Sequence, residues 1–306
     1  GGIFCLSYSE DGQYLASGGA DCKLHIWDSQ LAMQAATEGH YKRIHRVAWA
    51  PNEGYDFRCL ASGSFDATVK LWRLNEEDSA SSTCGLRAIK SLDYHKDIIS
   101  GIAFQKREFV YVAGMDGAIS KTDMKTMELT GLHPINQDGI VALAISPNHK
   151  WLAAGCSDMS LRILDPDTLT GHKRLVGPTA SIVATCFDDP AQQLLSLSRN
   201  GELLVWDVRT WKQLISHKCT HDNGATGACF VADCIATVGS DAGLRLWSHH
   251  PVPETAVYAS SPILCVATYP GSQRACFGMA NGSIQVYESM LDIKAHKSLQ
   301  LLSGSP

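Results

Sequence analysis

His217-x-Cys219-x-His221 puts three metal-competent side chains at alternate positions. On a strand, alternate residues share one face, so the three could converge on one ion. A closed zinc site needs a fourth ligand, and none stands nearby at a suitable spacing. Two carboxylate pairs, Asp165-Pro166-Asp167 and Asp188-Asp189-Pro190, have the composition of a general acid and base. Both sit beside proline where turns are expected, and solvated turn residues explain them better. Lys42, Arg43, His45 and Arg46 form a short basic cluster suited to an acidic or phosphorylated peptide. No glycine-rich phosphate loop precedes a helix, and no nucleophile elbow occurs. The residues therefore predict no catalytic group, no metal and no cofactor.

Such side chains must be carried by some framework, and composition narrows it. The chain has 306 residues, a net charge of −5, 45% hydrophobic residues and 19% charged ones. That is enough apolar material for a sizeable core. The charge balance argues against wholesale binding of nucleic acid or an anionic membrane. The longest apolar runs, such as Gly139–Ile145 and Pro262–Thr268, are far too short to span a bilayer. No secretory signal opens the chain, although it begins at Gly1 without Met, which leaves an upstream segment open. Eleven cysteines, without a C-x-x-C pair, read as buried free thiols of a reducing compartment. An intracellular location follows, cytoplasmic or nuclear.

The chain repeats itself. A small-residue step, then Asp or Asn, then an apolar run recurs at Asp21, Asp66, Asp116, Asp158, Asn200, Asp241 and Asn281. The spacings are 45, 50, 42, 42, 41 and 40 residues. In five units an aromatic follows six positions later: Trp27, Trp72, Trp206, Trp247 and Tyr287. Thr122 and Leu164 stand there in units three and four. Short β-rich runs with frequent turn signals predict an all-β fold. A period in the low forties with four strands per unit predicts propeller blades. Gly18-Gly19 reads as part of a repeat turn, and Gly171-His172, out of phase, as a loop.

In these seven units the chain resembles the WD40-repeat family. Gly39-His40, Asp66 and Trp72 make the second unit the clearest, and Trp27-Asp28 and Trp206-Asp207 keep the namesake dipeptide. Trp247-Ser248 and Tyr287-Glu288 are degenerate forms. The resemblance implies one domain over residues 1–306, a seven-bladed β-propeller with four antiparallel strands per blade. It also implies a buried hydrogen-bonded set of His, Asp, Ser/Thr and Trp within a blade. Here the members are His40, Ser62, Asp66 and Trp72 in blade two; His95 and Asp116 in blade three; and His221, Asp241 and Trp247 in blade six. Only blade two reads as complete, so blades three, four and seven are expected to rest on apolar packing. The outer strand of blade seven is expected around Lys297–Leu302, with ring closure by packing of blade seven on blade one.

The resemblance further implies a binding platform on the narrower face. Carried over unit by unit, its positions are Phe4, Arg43, His45, Phe65, Ile98, Met115, Val141, Val183, Arg199 and Leu264. Aromatics, Met and Arg are what interface hot spots favour. On the opposite face, two long loops of blade two suggest a second docking surface. One spans Pro51 to Arg58 with Tyr55 and Phe57, and the other spans Leu74 to Gly85 with Glu76, Glu77 and Asp78. The expected function is a non-enzymatic scaffold that holds one or more proteins within a multi-subunit assembly. Two alternatives are a receptor for an acidic or phosphorylated peptide and a ribonucleoprotein subunit touching RNA. No membrane insertion is expected.

Overall fold

Every turn Asp or Asn accepts a hydrogen bond from the amide two residues ahead. The distances are 3.1 Å at Asp21, 3.0 Å at Asp66, 3.2 Å at Asp116, 3.1 Å at Asp158, 3.3 Å at Asn200 and 3.0 Å at both Asp241 and Asn281. The residue in between is left-handed in all seven units, from Ala242 at φ 60° to Gly282 at φ 90°. A short carboxylate or amide side chain stabilises this bend without help from outside the repeat. Only three of the seven left-handed positions are glycine: Gly117, Gly201 and Gly282.

The computed structural model describes residues 1–52, 57–75, 85–188, 190, 192–218, 221–231, 234–247, 255–268, 274–287 and 302–304. These turns fold the chain into seven four-stranded antiparallel sheets, each from consecutive strands, which form the blades of a β-propeller. Blade two shows the plan: Ile44–Trp49 is innermost, followed by Arg58–Ser64, Val69–Asn75 and Gly85–Leu92. The other innermost strands are Ile3–Tyr8, Ile99–Gln105, Ile140–Ile145, Ile182–Phe187, Ala225–Val231 and Ile263–Thr268. Among the described residues there is no helix.

Apolar packing lies between blades. Each of seven buried clusters spans one boundary; that between blades one and two joins Leu24 and Ile26 to Ile44, Leu60 and Trp72. The closing boundary is of the same kind, with Ile3, Leu6 and Tyr8 packed on Ala267, Cys276 and Val286. The outer strand of blade seven is contiguous with its own blade, at Leu302–Gly304 paired to Ile284–Val286. It overlaps the expected span only at Leu302, and residues 297–301 lie outside the described residues.

The glycines correct the sequence reading. Gly18 and Gly19 are in a strand, Tyr14–Gly19, with no left-handed φ. A Cβ on Gly18 would sit 2.5 Å from Ile44 Cγ2 of the next blade. Gly63 meets Ile99 at 2.4 Å, Gly155 meets Ile182 at 2.6 Å and Gly278 meets Ile3 at 2.7 Å in the same way. Two blades carry a larger residue there: blade six has Val238, in one cluster with Ile263 of blade seven, and blade five has Leu197. Leu197 of blade five faces Ala225 of blade six within one cluster. So these glycines serve close blade-to-blade approach, not turns.

Gly171-His172 is likewise strand, in the outer strand Gly171–Val176 of blade four. That strand is exposed at five of its six positions. Its composition therefore carries no hydrophobic alternation from which a strand could be read.

The buried polar set locks the inner strands to the turns. Trp72 Nε1 donates to Ser62 Oγ at 2.8 Å, which lies 2.8 Å from His40 Nε2, and His40 Nδ1 lies 3.0 Å from Asp66. Blade six has the same chain, with Thr237 in the hydroxyl position: Trp247 to Thr237 at 2.8 Å, Thr237 to His221 at 3.0 Å and His221 to Asp241 at 2.9 Å. Blade two is thus not alone in being complete; a Thr on the second strand does the work of Ser62. Blade three, lacking the indole, uses Ser120 of its third strand, 3.0 Å from His95 Nε2, with Asp116 3.1 Å from Nδ1. Blade three therefore has a polar set of its own beside the apolar clusters it shares with blades two and four.

Three outcomes follow for stability. Gly18→Ala should cost about 1–3 kcal/mol through overpacking. The same change in an Ile44→Ala background should cost much less, and additive effects in a double-mutant cycle would contradict the contact. His40→Ala, which removes the buried link between the Ser62 hydroxyl and the Asp66 carboxylate, should lower Tm more than His172→Ala; equal shifts would contradict its role. Burial holds His40 and His221 below the usual imidazole range against the pull of Asp66 and Asp241. Protons bind the unfolded histidines first, so this stability is present above the unfolded pKa and is lost as pH falls below it. Urea unfolding from about pH 7.5 to about pH 5.5 should flatten in a His40→Gln/His221→Gln variant.

Candidate functional site at the channel mouth

A Ser–His–Asp order invites a catalytic reading, and Ser62–His40–Asp66 has it. Ser62 is fully buried, however, and its Oγ already receives the Trp72 indole. A nucleophile must reach a substrate. Ser120 and Thr237 are equally enclosed, at 1% and 0% exposure. These constellations are structural.

Two of the three metal-competent side chains of the His217-x-Cys219-x-His221 triplet are engaged elsewhere. His221 is engaged by Asp241 and Thr237, His217 stacks on Trp247 at 5.6 Å, and Cys219 lies outside the described residues. Among the described residues no group of three or more His, Cys, Asp or Glu is placed to hold a metal ion. Asp165 accepts the amides of Asp167 and Thr168 at 2.8 and 3.1 Å, and Asp188 accepts those of Gln192 and Gln193 at 2.7 and 2.8 Å. Both are turn residues; Asp189 lies outside the described residues.

One repeated hydrogen bond builds the narrower face. The amide before the turn Asp or Asn donates to the carbonyl just ahead of the innermost strand. Phe65 reaches Arg43 at 3.1 Å, Met115 reaches Ile98 at 2.9 Å and Arg199 reaches Ser181 at 2.8 Å. Positions 17 to 22 residues apart in sequence therefore become neighbours at the mouth of the channel.

In blades one and two this makes a compact patch. The exposed Arg43 guanidinium lies 3.7 Å from the Phe65 ring centroid and 5.2 Å from that of Phe4. A cation over aromatic faces is held in place yet keeps its hydrogen-bond donors free. Arg43 pairs with no carboxylate among the described residues. His45 meets Phe65 edge-on at 5.2 Å. Burial, and then the positive charges of Arg46 and Arg43, push its pKa down to about 2, so it is neutral.

Arg46 turns inward. It donates to the carbonyl of His45 at 3.0 Å and, from blade two to blade four, to that of Val141 at 3.3 Å. The four-residue basic cluster is therefore split: Lys42 and Arg43 face solvent, His45 is neutral, and Arg46 braces the channel. Sequence reasoning missed this inward role, because alternation along Ile44–Trp49 does not say which non-core side faces the axis. It also missed Tyr41, 93% exposed beside the patch, whose amide is held by Asp66. Its signal was its place directly after the repeat histidine.

The remaining positions are scattered. Ile98, Met115, Val141 and Leu264 are half-buried, Arg199 is exposed on blade five, and Val183 packs against the core between blades five and six. On the opposite face, Phe57 lies between Arg73 at 4.1 Å and Arg107 at 5.1 Å, closing the joint between blades two and three. Tyr55, Glu76, Glu77 and Asp78 lie outside the described residues.

Comparison with known proteins agrees with this architecture. The family model described as "WD domain, G-beta repeat" matches residues 1–28, 33–73 and 129–165. The chain is similar to nuclear distribution protein nudF of Aspergillus niger, 23% identical over 80% of this chain and 58% of that protein. It is also similar to cell division cycle 20.1, cofactor of APC complex, of Arabidopsis thaliana, 28% identical over 51% of this chain and 34% of that one. Striatin-4 of Homo sapiens is 22% identical over 92% of this chain and 40% of its own length. The chain thus spans about a third to three-fifths of these relatives.

The enclosed, neutral His45 makes a direct prediction. Its imidazole NMR shifts should stay flat from about pH 8 to about pH 5, and a midpoint near 6.5 would contradict its burial.

Proposed function

Because the chain carries WD40 repeats and closes them into a seven-bladed propeller, we propose that it is a non-enzymatic protein-interaction scaffold working within a larger assembly. One observation carries this reading. Arg43 is exposed, held over two aromatic rings and unpaired with any carboxylate among the described residues, at the mouth of a rigid ring. Arg flanked by aromatics is the composition of an interface hot spot. The relatives' names, which include a cofactor of the APC complex and a ribosome biogenesis protein, support work in assemblies. Of the eleven cysteines, the nine among the described residues are free thiols, which supports a reducing compartment, cytoplasmic or nuclear.

The same patch supports a second reading, that the recognised element is an acidic or phosphorylated segment. A guanidinium with free donors forks onto a carboxylate or phosphate. The RNA alternative is less well supported, since only Lys42 and Arg43 of the basic cluster face solvent. The scaffold's partner would contact Phe4, Arg43 and Phe65, with Tyr41 and Lys42 at the rim.

Arg43→Glu should weaken recovery of the native partner by about tenfold or more while leaving Tm unchanged. Recovery equal to wild type would remove the channel mouth from the interface. An isolated phosphopeptide that binds wild type and is lost in Arg43→Glu would select the receptor reading.

A further inference from the structure

The joint between blades two and three lacks a side chain that the other six joints have. Six residues after the turn Asp or Asn, every other blade places a large apolar side chain in the buried cluster it shares with the blade before it: Trp27, Trp72, Leu164, Trp206, Trp247 and Tyr287. Blade three places Thr122 there, short and fully buried, with no hydrogen-bond partner for its hydroxyl among the described residues. The cluster of this joint takes Met124 and Met127 from the loop that follows. It takes nothing from the third or outer strand of blade three, Ala118–Asp123 and Glu128–Pro134. The outer half of the joint therefore has no apolar seal from that side.

Strand register says what lines this outer half. Leu129 and Leu132 pair with Thr122 and Ser120, so they share the face of blade three that looks at blade two, and they are 37% and 45% exposed. On blade two, Lys90 pairs with Leu71, which belongs to the joint cluster, and Arg87 pairs with Arg73, two positions along the same face. Ile89, 38% exposed, is the extra residue of a bulge there. The extra residue at the same place in blade four, His172, turns to the following blade and lies 6.2 Å from Trp211. Ile89 thus faces the joint as well. Arg73, Arg87 and Lys90 pair with no carboxylate among the described residues. Arg73 stacks on Phe57, which leaves its donors free, and Lys90 gives one donor to the carbonyl of Met127 at 2.6 Å. The carboxylates of these strands, Asp123 and Glu128, are partners in register on the face of Lys121, whose ammonium reaches the carbonyls of blade four. An exposed apolar floor flanked by unpaired cations results, in a chain of net charge −5.

The rims disfavour an added strand. The outer strands Gly85–Leu92 and Glu128–Pro134 are free edges, but each carries a bulge, at Ile89 and at Thr130. Bulged edges resist further pairing. An amphipathic helix needs no edge, because its own backbone is satisfied and its apolar side chains recur at three- and four-residue spacing. Strands of this length run about 25 Å, which about sixteen helical residues match. We propose that this outer groove seats an amphipathic helix of a partner protein. Its apolar face lies over Ile89, Leu129 and Leu132, and its acidic flank meets Arg87 and Lys90. The surface is on the rim of the ring, apart from the channel mouth, and goes beyond the reading given above.

The test uses a capped fluorescent peptide of about sixteen residues, with Leu at three- and four-residue spacing and Glu on its flanks, read by anisotropy on the whole chain. One control replaces every Glu by Lys; the other keeps the composition but alternates Glu and Leu as a strand would. Saturable binding of the helical Glu–Leu peptide is expected, weakened by about tenfold or more in Arg87→Glu/Lys90→Glu. Leu132→Ser should weaken it with Tm unchanged, and the milder Arg87→Gln should lose part of the affinity. Arg43→Glu should leave it unchanged, and hydrogen exchange should slow over residues 85–92 and 128–134. Absence of saturable binding, equal binding of either control, or full affinity in the double variant would overturn the proposal. So would a single-stranded RNA oligonucleotide that binds more tightly and is lost in the same double variant. That last outcome would make the groove a nucleic-acid site and leave the channel-mouth reading standing.

Discussion

The ring depends on how a branched side chain from one blade enters the space left by a small residue in the blade before it. Ile44 over Gly18, Ile99 over Gly63, Ile182 over Gly155 and Ile3 over Gly278 are one contact repeated, the last closing the circle. Interiors are packed to crystal density, so such a contact tolerates little change in volume. Where the pattern inverts, as with Leu197 and Ala225, the large and small partners trade places across the boundary. No blade can bury its faces alone, so stability and shape are properties of the closed ring.

The polar sets act on a different scale. They fix each turn to its own inner strands, and they vary from blade to blade. Blades two and six share a chain from indole to carboxylate, while blade three relocates the hydroxyl to Ser120. Tyr287 of blade seven meets Phe277 edge-on at 5.3 Å, where blades one, two, five and six have the hydroxyl of Ser17, Ser62, Ser196 and Thr237. The ring thus accepts different solutions inside a blade as long as the joints fit.

Much of this fold was legible in the sequence because its signals are local. An Asp or Asn that bonds the amide two residues on, followed at fixed distance by a Trp, marks a turn and a third strand without knowledge of anything distant. What stayed hidden depends on neighbours across a boundary. Gly18 reads as a turn residue until Ile44 is seen against it. Thr237 reads as an ordinary strand residue until His221 and Trp247 converge on it. The outer strand at Gly171-His172 faces solvent and so has no hydropathy signal. At the channel mouth, the positions of Arg43 and Phe65 were legible from the repeat, but not that the guanidinium stacks on the ring or that Arg46 turns inward.

On the proposed reading function is display: the ring holds Phe4, Arg43 and Phe65 in one geometry, with the guanidinium over the two aromatic rings. The most direct measurement is crosslinking mass spectrometry on the native assembly with an amine-reactive reagent. The account predicts partner crosslinks at Lys42 and Lys70, beside the patch, that disappear in Arg43→Glu. Crosslinks confined to Lys125, Lys150 and Lys212, in turns on the opposite face, and unchanged by that substitution would contradict it.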